Sequence, residues 1–258
     1  SQVTGTAFLV AERYLLTAFH VVGDRAATIA SQAPVCYPTV FFDPGTDVAG
    51  QSVLLVPGCW DAVDDWALLE LSSPIAGVRP LPMGEVSQRE LELLPQGSHL
   101  GFESWGFPAL AKMSGSGITL DGRVQSRDFS YQSAWAYELY SDQAAAALGD
   151  PLNGLSGAPC LVDGAVVGII RSNLVAQGAE PGQSVHIVAG KLYACPIATL
   201  TLQTRCAQYL PAIDPIRGLP GLARKPLPLK PFQYLRWYGS LDAEVFFGRN
   251  RKVNELFY

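Results

Sequence analysis

Ser156 lies in the segment NGLSGAPC, residues 153–160, where two glycines and a proline surround its hydroxyl group. Such a serine can attack a carbonyl carbon if a histidine takes its proton and a carboxylate orients that histidine. The same composition is common in tight turns, because glycine reaches backbone angles that other residues avoid. The segment alone therefore supports two interpretations, a nucleophile or a plain turn.

The residues after Ser156 predict a strand and not a helix. Pro159 and the apolar run 161–170 indicate a β-hairpin, with Asp163 and Gly164 as its turn. This context excludes the strand–serine–helix elbow of α/β hydrolases. A serine nucleophile here must belong to an enzyme of another architecture.

A base and an orienting acid must come from elsewhere in the chain. Of the three histidines, His20 ends an apolar stretch predicted as a strand, His99 lies in the turn-like QGSHLG, and His186 lies within SVHIVAG. The acid candidate is Asp65 at the start of the strand WALLEL, with Asp64 as the neighbouring alternative. Taken singly, each of these residues is also typical of a core position or a turn.

The elements that would position these residues are short strands. Apolar stretches of four to ten residues, bounded by Gly, Pro or Asp, recur along most of the chain, which favours an all-β barrel or sandwich. The first two predicted strands are 3–10 and 13–22. Helical character is predicted at 85–94 and at 142–148 or 198–209. We predict two β lobes, at about 1–95 and 100–200.

Composition excludes several classes of protein. The chain has 258 residues, 48% of them hydrophobic and 16% charged, with a formal net charge of −5. It is therefore predicted to be globular, and nothing favours a nucleic acid or an anionic membrane as partner. The five cysteines show no zinc-ligand spacing, so no metal site is predicted. Free thiols in a reducing cytosol are the simplest interpretation, although pairing among them stays open.

The order His20, Asp65, Ser156 favours the catalytic interpretation over the structural one. Five short motifs around these residues, in this order and spacing, resemble the trypsin-like serine protease superfamily over about 170 residues. They are GTAFLV at 5–10, LTAFH at 16–20, DWALL at 65–69, GLSGAP at 154–159 and VGII at 167–170.

The resemblance implies an all-β fold of two packed six-stranded β-barrels, with few short helices and the active site in the cleft between the barrels. It implies that Ser156 attacks the scissile carbonyl, that His20 transfers the proton, and that Asp65 orients and stabilises the imidazole. Asp65 is preferred to Asp64 because the run DWALL matches the family's acid.

The resemblance also implies how a substrate is held. The backbone N–H groups of Gly154 and Ser156 would form the oxyanion hole. The segment Arg171, Ser172 and Asn173 would pair with the substrate backbone as an added strand.

Three positions bear on activation and specificity. Leu155 replaces the aspartate by which secreted members bind a newly cleaved N-terminus, so the chain more closely resembles intracellular bacterial members. Asp150 stands where trypsin-like members carry the acid of the first specificity pocket, which predicts cleavage after Arg or Lys. Lys191, near the opposite wall, could neutralise Asp150, and an exposed turn aspartate is the alternative.

The protease domain is predicted to cover residues 1–208. Six prolines between Pro211 and Pro231 predict a stiff linker over 209–231. Residues 232–258, which contain FFGR, resemble the opening of a bacterial STAND-type NTPase domain, so we expect the chain to be a fragment. Such architectures are similar to antiviral defence proteins that oligomerise, and ATP with Mg²⁺ would be the cofactor of the missing NTPase.

Together these observations predict a cytosolic serine endopeptidase effector gated by an NTPase. Its protease domain would need no cofactor, and its partners would be protein or peptide substrates and copies of itself. The alternative is a catalytically degenerate protease fold that binds peptides without cutting them.

Overall fold

The structure is a computed structural model of the chain. It describes residues 5–36, 39–40, 51–75, 77–86, 99–107, 117–131, 134–146, 154–171, 190–198 and 204–216. Within these residues we number thirteen strands and three helices in chain order. They are β1 (Ala7–Ala11), β2 (Tyr14–Thr17), α1 (Phe19–Val22), α2 (Arg25–Ser31), β3 (Thr39–Val40), β4 (Gln51–Asp61), β5 (Trp66–Leu71), β6 (Gly84–Val86), β7 (Leu100–Gly106), β8 (Ile118–Tyr131), β9 (Ala134–Tyr140), α3 (Asp142–Ala146), β10 (Pro159–Val162), β11 (Ala165–Arg171), β12 (Lys191–Pro196) and β13 (Asp214–Ile216).

The C-terminal lobe is a closed barrel. Its six strands follow the order β10-β11-β12-β9-β8-β7, and leucine, isoleucine and valine side chains fill its interior. The β10–β11 hairpin turns at Asp163 and Gly164, which have φ values of 51° and 74°. Positive φ at both central residues is typical of a tight hairpin turn, so this sequence prediction is confirmed.

The N-terminal lobe is not the second six-stranded barrel that we expected. Within the described residues it is an open five-stranded sheet of order β1-β2-β5-β4-β3. β6, the next strand along the chain, does not extend this sheet, because it pairs in parallel with β13 near the C-terminal end of the described chain. The described residues therefore form one closed barrel, one open sheet and the two-stranded parallel sheet of β6 and β13.

The predicted second strand, 13–22, is too long at its C-terminal end. β2 ends at Thr17, whose hydroxyl donates to the carbonyl of Thr6 at 2.7 Å. The chain then forms the single helical turn α1, which the N–H of Gly23 closes by donating to Phe19 O at 2.8 Å. His20 therefore lies on a helical turn and not at a strand end.

The predicted helices have mixed outcomes. The helix expected at 142–148 is present as α3. The segment expected at 85–94 begins in β6, and the remainder lies outside the described residues. Of 198–209, residues 204–206 form one helical turn.

The two lobes share one hydrophobic cluster, which fixes the seam between them. Phe8, Leu16 and Trp66 contribute from the N-terminal lobe, and Ile169 and Cys195 from the barrel. Burial of such side chains stabilises by about 1.5–3 kcal/mol each, so the seam is a major part of the fold. Residues that follow the barrel also pack against this cluster. Residues 217–258, which include most of the predicted linker and the NTPase-like segment, lie outside the described residues.

All five cysteines are free thiols, and their burial predicts their reactivity. Burial raises the pKa of the Cys160 and Cys195 thiols to about 12. The thiolate is the reactive form, so we expect half-buried Cys36 to react first with iodoacetamide at about pH 8. Cys160 and Cys195 should react only after unfolding. Peptide mapping of a time course measures this order, and early labelling of Cys160 would contradict it.

In the described part of the chain, no helix combines the length and apolar character needed to span a bilayer.

Candidate active site

The acid of the site sits at the end of a tight turn between β4 and β5. The Asp61 carboxylate forms this turn by accepting the N–H groups of Val63 and Asp64, both at 2.8 Å. Asp65 follows with φ of 60°, in the left-handed region that aspartate occupies only occasionally. A buried residue held in this conformation is a mark of a functional position, because the surrounding contacts must stabilise it.

Asp65 binds His20 through both carboxylate oxygens. Oδ2 lies 2.8 Å from His20 Nδ1, and Oδ1 accepts the backbone N–H of His20 at 3.0 Å. This double contact fixes the imidazole and favours the tautomer with the proton on Nδ1. Nε2 is then left as an acceptor, which a general base requires.

The carboxyl of Asp65 is ionised in spite of its burial. Burial alone would raise its pKa, but the hydrogen bond and charge of His20 and the charge of Arg25 together hold the pKa below its ordinary value. A carboxyl whose pKa is lower in the folded state than in the unfolded state stabilises the fold at pH values above the unfolded-state pKa. This stabilisation is lost as the pH falls through the folded-state pKa. The Asp65 carboxylate is therefore retained throughout the neutral range.

The turn that carries Ser156 lies directly against the segment that leads to His20. The carbonyl of Ser156 accepts the N–H of Thr6 at 2.7 Å. Gly157 has φ of 85°, and a Cβ there would meet Thr6 O and Thr17 Oγ1 and lie 3.1 Å from Ala18 N. The serine turn and the residues before α1 are thus in contact, which brings the three residues predicted as catalytic into one region of the seam.

The backbone N–H groups of Gly154 and Ser156, predicted as the oxyanion hole, donate no hydrogen bond to another described residue. The carbonyl of Gly154 accepts the Thr6 hydroxyl at 2.8 Å. An oxyanion hole requires two N–H groups that both point at the developing negative charge.

Thr6 is a buried residue that the sequence analysis missed. Its hydroxyl donates to Gly154 O and accepts the N–H of Phe107 at 3.1 Å. We expect Thr6→Val to destabilise the fold by about 1–3 kcal/mol, because two buried polar groups lose their partner. It should also slow any reaction that uses the Gly154 N–H. Thr6→Ser keeps the hydroxyl, so it should have the stability and the reaction rate of the wild type in denaturant unfolding and rate measurements. Equal stability and equal rates in Thr6→Val and Thr6→Ser would contradict this role.

The end of β11 continues the wall of the site. Ile170 N–H donates to Ala158 O at 2.8 Å, and Ile170 O accepts the N–H of Gly157 at 2.7 Å. The next residue, Arg171, pairs with Tyr193 of β12 and is 7% exposed. Its Nε and Nη2 have no hydrogen-bond partner among the described residues.

The other predicted binding residues, Ser172, Asn173 and Asp150, lie outside the described residues. So does His186. Lys191 pairs with Glu138 at 2.8 Å, so within the described chain its charge is already matched. His99 lines a separate cavity of about 340 Å³ on the C-terminal barrel and is not part of the site around His20.

Two arginines hold the acid turn, and the sequence analysis identified neither. Arg25, the first residue of α2, donates to the carbonyls of Ala62 and Val63. Arg205 lies 3.5 Å from the Asp61 carboxylate and donates to Trp60 O at 2.9 Å. Both contacts link residues far apart in the chain, so no local pattern could have indicated them. No group of His, Cys, Asp and Glu among the described residues could hold a metal ion.

A β-barrel packed on a second β lobe, with a His–Asp pair beside a serine turn at the seam, defines the chymotrypsin-like class of fold. The chain belongs to the family of trypsin-like peptidase domains, whose family model matches residues 5–169.

Solved structures similar to this chain include two forms of one protease and Deg5. The chain is similar to the active form of the Rv3671c protease from M. tuberculosis, with 16% identity, a TM-score of 0.49, and coverage of 82% of this chain and 75% of that one. The inactive form of the same protease gives 15% identity, a TM-score of 0.47, and coverage of 79% and 82%. Deg5 gives 17% identity, a TM-score of 0.46, and coverage of 75% and 78%. No curated protein matches the sequence.

Proposed function

We propose that this trypsin-like peptidase domain is an active serine endopeptidase, with His20, Asp65 and Ser156 as its catalytic triad. The observation that carries the proposal is the buried Asp65 carboxylate, which binds both the ring and the backbone of His20. This contact favours the proton on Nδ1 and leaves Nε2 as the acceptor that a general base requires. The N–H groups of Gly154 and Ser156, which donate to no other described residue, support the same function.

The proposed reaction is the acyl transfer that a Ser–His–Asp triad performs. Ser156 Oγ forms a bond to the scissile carbonyl carbon while its proton passes to His20 Nε2. The N–H groups of Gly154 and Ser156 stabilise the resulting oxyanion, which is worth about 2.7–4 kcal/mol per donor. The C–N bond then breaks and the amine leaves with the proton from His20. A water molecule then attacks the acyl-enzyme while His20 takes its proton. The proton returns to Ser156 Oγ as the acid product leaves.

A diverse peptide library, analysed by mass spectrometry, tests this proposal. Wild type should cleave peptides, and Ser156→Ala should not. Ser104→Ala is the matched control, because Ser104 is also buried but lies on β7 of the barrel. The control should retain the wild-type rate. Cleavage by Ser156→Ala at the wild-type rate would overturn the proposal.

The second candidate is a peptide-binding module that does not cut. Leu155 favours it, because this buried residue cannot make the ion pair by which secreted members order the oxyanion turn. The bond from Thr6 to Gly154 O argues against it, since that bond supplies an alternative means of ordering the turn. Peptide binding with no cleavage in any assembly state would favour the module.

We also propose a specificity for the residue before the cleaved bond and a mode of regulation. Asp150 would favour Arg or Lys before the cleaved bond, and the library measures that preference directly. Residues 232–258 would join the protease to a STAND-type NTPase of a bacterial, cytoplasmic antiviral defence protein that oligomerises on a trigger. The residues that support both ideas lie outside the described ones. Dependence of cleavage on ATP and Mg²⁺ in a longer protein that contains the NTPase would test the second.

A further inference from the structure

Arg25 makes three contacts around the acid of the site. Its Nε donates to Ala62 O at 2.7 Å, and its Nη2 donates to Val63 O at 3.1 Å. Its Nη1 lies 3.8 Å from Asp65 Oδ2, the same oxygen that binds His20 Nδ1. One guanidinium therefore contacts the turn before Asp65 and also the carboxylate itself.

The first consequence concerns backbone geometry. Asp65 has a left-handed backbone, which costs about 1–2 kcal/mol for a non-glycine residue and needs support from its surroundings. The planar guanidinium presents donors at fixed angles, so two of its N–H groups can hold two successive carbonyls in register. Lysine has no such fork and can replace the charge but not this geometry.

The second consequence concerns charge. Arg25 is the one arginine or lysine within 4 Å of the Asp65 carboxylate among the described residues. The other charges around the turn are already engaged. Asp61 faces Arg205, and Asp64, which has interactions of its own, donates its N–H to Asp61. A fixed positive charge beside Oδ2 stabilises the ionised form of the Asp65 carboxyl and helps to hold its pKa below the ordinary value.

We propose that Arg25 is a positioning residue for the acid and that its charge keeps the Asp65 carboxylate ionised. The forked hydrogen bonds hold Asp65 in its left-handed conformation. The positive charge beside Oδ2 stabilises the carboxylate that binds His20 Nδ1. This inference rests on the proposed function, because it assigns Arg25 to the same reaction.

Two variants separate the two roles. Arg25→Gln removes both the charge and the fork, whereas Arg25→Lys keeps the charge. Arg13→Gln is the matched control, because Arg13 also binds a carbonyl (Leu71 O, 3.0 Å) and a carboxylate (Glu70, 3.0 Å), but on the β1–β2 hairpin. The readout is the rate of fluorophosphonate labelling at neutral pH, together with the melting temperature.

We expect both Arg25→Gln and Arg25→Lys to lower the labelling rate at neutral pH several-fold, because neither variant has the fork. Arg13→Gln should leave that rate unchanged. A wild-type labelling rate in both Arg25 variants would overturn the role of the fork.

A second measurement does not depend on catalysis. The carboxyl carbon of Asp65 can be titrated by NMR in a Ser156→Ala background. The Asp65 midpoint should be higher when Arg25 is glutamine, because the charge that lowers the pKa of this carboxyl is lost, and unchanged when Arg25 is lysine. If wild type fails to label but this difference is present, the proposed function fails and the charge role of Arg25 stands. If wild type labels but the midpoints coincide, the proposed function stands and the inference about Arg25 fails.

Discussion

Asp65→Asn is expected to lower the rate of peptide hydrolysis by about 10⁴-fold, a loss typical of this change in a Ser–His–Asp triad. Asparagine tolerates a φ of 60°, so the turn should keep its shape. The amide oxygen can still accept the backbone N–H of His20, but the NH₂ group then faces Nδ1. An NH₂ donor there requires a lone pair on Nδ1, which places the proton on Nε2. His20 can then no longer accept the proton of Ser156.

Asp64→Asn is the matched control for this prediction. Asp64 is the adjacent acid in the same turn, and its backbone N–H donates to the Asp61 carboxylate at 2.8 Å. Its replacement should change the rate by no more than a few-fold. The value of kcat/KM measured for both variants decides between the two acids. A large loss in Asp64→Asn with a small loss in Asp65→Asn would show that the wrong acid has been assigned.

Gly157→Ala is expected to destabilise the protein by about 3–5 kcal/mol, at the upper end of single substitutions. The residue has φ of 85°, and its Cβ would collide with the Thr6 carbonyl and the Thr17 hydroxyl. These neighbours are backbone and a buried side chain that are already hydrogen-bonded to each other. The serine turn must therefore move away from the residues that lead to His20, and activity should be lost with stability.

Gly164→Ala separates the clash from the backbone strain. Gly164 has φ of 74°, but no atom lies within 4 Å of the position of its Cβ. This variant should lose only about 1 kcal/mol, the cost of a left-handed alanine. Urea unfolding of both variants gives the comparison. Equal losses would mean that the packing of Gly157 against Thr6 and Thr17 has been misjudged.

The parts of the fold that the sequence predicted are those set by local patterns. The β10–β11 hairpin follows from Asp163-Gly164 between two apolar runs, because that dipeptide accepts positive φ. The helix at Asp142 and the strand WALLEL also follow from local composition. Where a local pattern suited more than one type of secondary structure, the prediction was wrong. The apolar run LLTAFHVV suits a strand, yet Gly23 closes a helical turn over its last four residues.

The contacts that complete the site could not be predicted, because they join distant residues. The bond from Thr6 to Gly154 spans 148 positions, and that from Arg205 to Trp60 spans 145. The pairing of β6 with β13 likewise depends on where the chain returns after the barrel. A single sequence identifies candidates for the His–Asp–Ser set by their order, but not the residues that hold them.

The central claim is that Ser156 is a nucleophile activated by His20. The most direct test is to treat the protein with a fluorophosphonate, which traps activated serines, and to locate the adduct by mass spectrometry. We predict an adduct on Ser156 that is absent when His20 is replaced by alanine and present when His99 is replaced. An adduct that persists without His20, or the absence of any adduct on Ser156 in every assembly state, would contradict the claim.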